Sequence, residues 1–153
     1  MAGVSNHLPA SRFGFEHHPA FANWPKPALC ALNGVCVDCE FKPGETLYVA
    51  GDRCRGLFLI NSGQIELLLP GAGNKFVVSH VVGPHGTVGL GPTVSGKLYE
   101  FTARAIDDCA AFFVRRQDFM KILARFPEAT LSVSNVLSME VEMAYRRLRN
   151  LRG

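Results

Sequence analysis

The stretch Gly89–Glu100, GLGPTVSGKLYE, holds the groups in this chain best suited to grip an anion. Gly89, Gly91 and Gly96 free the backbone to curl, so that successive N–H groups can converge on one point. Thr93 and Ser95 add hydroxyls, Lys97 adds a charge, and Glu100 is the only acid. Chemistry of other kinds is poorly supplied. No serine, histidine and acid stand together, and no carboxylate pair has a local partner, so the reading is not an enzyme. A metal site on a β scaffold needs two or three histidines on facing inner positions. Only His80 and His85 lie near one another, and no metal is expected. His80 follows Ser79 on a strand and can be satisfied by a hydrogen bond, while His85 sits in a turn where it could donate to a ligand.

The elements that would carry this loop follow from pattern. VCVDCEF, TLYVA, LFLINSGQIELLL, FVVSHVV, EFTARAI and AAFFVRR read as strands, the third hinged at Asn61–Gly63. KPGE, GDRCRG, PGAGNK and GPHG supply turns, with Pro43 and Gly44 suited to a tight one. Short strands at near-regular spacing predict a sandwich or barrel. A short helix is expected from about residue 25 to 34, with Pro25 near its start. After the strands the period changes: Phe119, Ile122, Leu123 and Phe126 recur at helical spacing. Pro127 ends that helix and can open the last one.

The last helix carries two apolar stripes. Leu131, Leu137, Val141, Ala144, Tyr145, Leu148 and Leu151 form a heptad-like seam, and Val133, Val136, Met139 and Met143 lie beside it. One stripe can cover the barrel, which leaves the other for a second copy of the chain. The expected dimer residues are Leu137, Val141, Tyr145 and Leu148. Arg146, Arg147, Arg149 and Arg152 crowd the end, a pattern that reads as a solvated helix terminus.

The chain has 153 residues, 48% of them hydrophobic, and a formal charge of +3. That is enough for one domain with its own core. No apolar run approaches the roughly 20 residues of a membrane span, and no signal peptide is visible, so a cytoplasmic protein is expected. Residues 1–24 lack periodicity and read as a flexible arm, with His17 and His18 as a disordered pair and Trp24 as an anchor. The expected division is this arm, a β domain over residues 25–126, and a helix over 127–153.

FKPGETLYVAGDRCRGLFLINSGQIEL, from Phe41 to Leu67, resembles the first signature of the Crp/Fnr family of transcription regulators. Gly44, Gly51, Asp52 and Gly63 stand where that family has them, and the resemblance runs from about Val35 to Leu151. It implies a mainly β fold with flanking helices: a double-stranded β-helix, or jelly roll, the family's cyclic-nucleotide-binding-like sensor domain. It also implies a long C-terminal dimerisation helix and a homodimer. Full-length members continue into a helix-turn-helix DNA-binding domain. No recognition helix is visible before Gly153, so DNA would be reached only through a domain absent from this chain. The chain then reads as a regulator's sensor domain or as a stand-alone module for ligand binding or assembly.

In members that bind cyclic nucleotides, the segment matching Gly86–Thr102 is the phosphate-binding cassette. The resemblance assigns it an acid for the ribose 2′-hydroxyl and an arginine for the phosphate. The acid position falls on Leu90, or on Gly89 if the gap is drawn differently, and the arginine position falls on Tyr99. Glu100 follows and would repel a phosphate. TVSGKLYE resembles a subgroup without the standard cassette. Neither cAMP nor cGMP is therefore expected. Gly89, Leu90, Gly91, Thr93, Ser95, Lys97, Tyr99 and Glu100 remain candidates for some other small ligand, or for an empty structural cassette. Oxygen-sensing relatives hold an iron–sulfur cluster on four cysteines. Here the spacings of Cys30, Cys36 and Cys39 run in reverse order, and Cys36 and Cys39 read as strand positions on opposite faces. No cluster is expected, and the cysteines, with Cys54 and Cys109, read as small buried hydrophobes.

Overall fold

A computed structural model describes residues 18–152, with side chains through residue 150. Residues 1–17, which hold most of the expected arm and His17, lie outside the described residues, as does the Leu151 side chain. The expected arm does not extend to Trp24. His18 is buried, Pro19–Phe21 form a 3-10 turn, and Phe21 and Trp24 are core residues. Their rings meet edge to face at 4.8 Å, and Trp24 lies 5.9 Å from Phe119. Aromatic burial of this size outweighs the lack of any periodic signal.

Helix α1, Lys26–Val35, leads into eight strands. These are β1 (Val37–Phe41), β2 (Thr46–Tyr48), β3 (Gly56–Ser62), β4 (Ile65–Pro70), β5 (Phe76–Val82), β6 (Thr87–Val88), β7 (Thr102–Ala105) and β8 (Cys109–Arg115). Between β6 and β7 lies a short helix, α2 (Leu90–Ser95), and the chain ends on α3 (Arg116–Arg125) and α4 (Pro127–Arg152). The strands form two antiparallel four-stranded sheets, ordered β1-β8-β3-β6 and β2-β7-β4-β5. This is the expected jelly roll. Val35 and Cys36, read as the start of a strand, instead end α1, and the Cys36 N–H closes its last turn on the Leu32 carbonyl at 3.1 Å.

Strand alternation divides the core in two. Leu57 and Leu59 of β3, with Phe112 and Val114 of β8, face the helices and meet Leu32, Phe119 and Ile122. Phe58 and Ile60 face the other sheet and meet Ile65, Leu67, Ala103 and Ala105. Strand β3 is buried on both faces, which explains why its sequence is a nearly continuous apolar run. The hinge at Gly63 has φ +82°, and a Cβ there would strike the Asp108 carbonyl, so the turn admits only glycine.

Candidate ligand cavity over the cassette

The expected loop at Gly89–Glu100 contains a helix. Gly89 precedes it at φ +85°, where a Cβ would come within 3.1 Å of the Gly56 carbonyl and 3.3 Å of the Tyr99 ring. Leu90 is 2% exposed and belongs to the helix-side core. Thr93 is buried, and its hydroxyl donates to the Gly89 carbonyl at 2.7 Å, with Cys54 Sγ 3.4 Å away. Pro92 has no N–H, which removes one donor from the first turn. Gly96 ends the helix at φ +75°. Arg116 donates from Nε to the Thr93 carbonyl at 2.8 Å and sets a cation at the helix C-terminus. Sequence reading assigns Arg116 only to the end of a strand; a contact across 23 residues leaves no local trace.

Tyr99 closes the floor. It is 4% exposed, and its ring stacks on Tyr48 at 3.8 Å and 10°. Its hydroxyl donates to the Gly56 carbonyl at 2.6 Å and accepts from the N–H groups of Arg55 and Gly56, each at 3.2 Å. The backbone is held as firmly: Gly51 N–H donates to the Tyr99 carbonyl at 2.8 Å, and Tyr99 N–H to that of Asp52 at 3.0 Å. The Gly51–Asp52 turn therefore clamps the position that an arginine would take. Burial, with the hydrogen-bonded Cys54 beside it, pushes the Tyr99 phenol up to about 12. Tyr99 is among the candidate ligand contacts and lines the cavity, but its hydroxyl is spent on the backbone.

Above this floor lies a cavity of about 700 Å³ between the cassette, β5 and α4. Gly89, Leu90, Gly91, Ser95, Lys97, Tyr99 and Glu100 line it, whereas Thr93 does not. Lys97 and Glu100 are exposed at the rim. The walls are mainly apolar, and they include Val82, Phe101, Leu137 and Val141. Polar groups enter from outside the cassette: His80 from β5, and Glu140 and Arg147 from α4. His80 Nδ1 lies 3.0 Å from Ser79 Oγ, the expected pairing. Burial, and then the charge of Arg147, lowers the His80 pKa. Desolvation raises the Glu140 carboxyl while Arg147 acts in the opposite direction. Arg147 thus differs from its neighbours in the basic terminus; it is half-buried and faces the cavity.

Helix α4 is covered on one side of its proximal half, where Leu131 is nonetheless 65% exposed, and is open on both stripes beyond it. Ala129 and Val133 are buried, and Val136 and Leu137 pack on the helix-side core. Leu137, expected at a dimer seam, is thus partly covered by its own domain. Beyond it Val141 is 55%, Tyr145 63% and Leu148 57% exposed, as are Met139 and Met143 of the second stripe.

Cys39, Cys54 and Cys109 are buried, Cys36 is half-buried and Cys30 is exposed. Burial, with Asp38 adding to it, pushes the thiols of Cys36 and Cys39 up to about 12 and about 11. Among the described residues no group of three or more His, Cys, Asp or Glu is placed to hold a metal. No described helix is long and apolar enough to cross a membrane.

Residues 38–126 match the family described as cyclic nucleotide-binding domain. The chain belongs to that family. It is 26% identical over 114 residues to the HTH-type transcriptional regulator Cmr of Mycobacterium tuberculosis, covering 74% of this chain and 46% of that protein. The chain thus spans about half the length of that relative. A cyclic nucleotide-binding domain from Methylobacillus flagellatus superposes with TM-score 0.81 at 15% identity, over 96% of this chain and 88% of that one. The regulatory subunit of a cAMP-independent protein kinase A from Trypanosoma brucei gives TM-score 0.76 at 15% identity, over 94% and 50%. A triple mutant of that subunit, in which one threonine becomes arginine, is bound to cAMP. At these identities the structures establish the cyclic nucleotide-binding fold. With the Cmr relative they agree with the resemblance to a Crp/Fnr sensor domain.

Proposed function

We propose that this chain is the regulatory sensor domain of a Crp/Fnr-like transcription regulator that does not take cAMP or cGMP in the standard way. The buried Tyr99 carries the reading. Its ring and its spent hydroxyl occupy the arginine position, and Leu90, sunk in the core, offers no acceptor for a ribose. The trypanosome subunit supports the reading by example, since that protein is cAMP-independent and a mutant with an added arginine binds cAMP. The cavity then takes another small molecule, which biases the position of α4. The exposed distal half of α4 pairs with a second copy, and DNA is contacted through a domain outside this chain. Catalysis plays no part.

Titration calorimetry of the chain with cAMP and cGMP tests this. No binding is expected below about 100 μM. Micromolar affinity for either nucleotide would overturn the reading.

A further inference from the structure

Arg147 reaches the cavity from α4, opposite the closed floor. It is half-buried, and it forms no salt bridge or hydrogen bond among the described residues. A guanidinium stays charged at any accessible pH, and Glu140, the acid that feels its charge, does not come within salt-bridge distance of it. His80 lies close enough to feel its charge. The Ser79 hydroxyl can occupy His80 Nδ1, which leaves Nε2 for another partner. Between this end and Leu90 the walls are mainly apolar, with Glu140 the acid on the helix side.

We infer that the cavity binds an amphipathic monocarboxylate, its carboxylate gripped by Arg147 with His80 beside it and its apolar body lying towards Leu90 and Phe101. The lining carries two cations, Lys97 exposed at the rim and Arg147 half-buried, against Glu100 and Glu140, so the desolvated grip belongs to Arg147. One guanidinium matches one carboxylate in a forked pair. Glu140, two turns earlier on the same helix, also lines the cavity and would repel a second negative charge. Glu100 at the rim and Tyr99 at the floor disfavour an anion seated at the cassette end. The volume, about 700 Å³, suits a molecule of ordinary ligand size. A ligand held this way would touch the cassette and α4 together, so its binding would bear directly on the helix. The inference rests on the ligand-sensor reading above, with the anion grip moved from the cassette to the helix.

Calorimetry with decanoate, decanol and decyl phosphate tests it on the native chain and on Arg147→Gln and Arg147→Lys. Decanoate is expected to bind the native chain about tenfold tighter than decanol and tighter than the phosphate. Arg147→Gln should remove that preference and leave decanol unchanged, and Arg147→Lys should restore part of it. Equal affinity for decanoate and decanol, or unaltered decanoate binding in Arg147→Gln, would overturn the anion grip while leaving the sensor reading standing. Absence of binding by all three probes would overturn the inference and count against a ligand-taking cavity as well. Should Arg147→Gln fail to fold, the decanoate–decanol comparison on the native chain still decides.

Discussion

The floor and the roof of the cavity are built from similar residues and behave differently. On the floor, Leu90, Thr93 and Tyr99 are buried, and each polar atom of Tyr99 has a protein partner. On the roof helix, Val141 and, beyond the cavity, Tyr145 and Leu148 stand exposed, and Arg147 forms no salt bridge or hydrogen bond among the described residues although Glu140 feels its charge. A tyrosine can thus be a sealed structural element at residue 99 and an open surface at residue 145. The floor keeps the fold of the family, and the positions that the resemblance assigns to an acid and an arginine hold Leu90 and Tyr99. Unsatisfied binding capacity lies instead on the helix.

A substitution on the roof should break association and spare folding. Leu148→Asp puts a charge into the proposed helix pair, so the dimer dissociation constant should rise at least about 100-fold, as for a buried unpaired charge. Sedimentation equilibrium measures this. The melting temperature of the separated chain should move little, because Leu148 touches no core of its own. A native chain that stays monomeric at high concentration would remove the distinction between roof and proximal helix.

The floor should respond in the opposite way. Tyr99→Phe keeps the ring stack and deletes the hydroxyl, leaving the Gly56 carbonyl without its 2.6 Å donor. A loss of about 1–3 kcal/mol in chemical denaturation is expected, with dimerisation unchanged. A neutral result would mean that water replaces the hydroxyl and that the floor is less sealed than its burial indicates.

The smallest effect concerns the thiol beneath the β domain. Folding raises Cys36 from 9.0 to about 12, so the unfolded chain loses this proton first as pH rises. Its contribution to stability is present below pH 9.0 and falls away between that value and about 12. At pH 8–9 the exposed Cys30 should accordingly be alkylated well before Cys36, a difference that mass mapping detects. Equal rates would show local opening at the end of α1.

Much of the fold was readable because its signals are local. Gly44 and Gly51 mark turns, alternation marks strands, and Pro127 separates α3 from α4. The proposed lack of a nucleotide grip rests on residue type, since the resemblance puts Leu90 and Tyr99 where it expects an acid and an arginine. The residues of the cassette do not by themselves signal its helix, because three glycines and a proline in twelve residues argue against one; Leu90 burying itself in the core and Arg116 capping the far end override that propensity. Trp24 is buried as an anchor should be, whereas the burial of His18 and Phe21 leaves no sequence signal because aromatic packing has no period.

By itself, the sequence determined where most strands and turns fall, which are properties of residue type and short-range spacing, and through the resemblance it put Leu90 and Tyr99 at the acid and arginine positions. Only the tertiary structure decided what stands in their place. That Tyr99 plugs the floor depends on Gly56, 43 residues away, and that Arg147 faces the cavity depends on how α4 lies across the barrel. Neither is written in any short window, because packing distributes the same apolar and charged side chains between core, cavity and surface according to contacts that are remote along the chain.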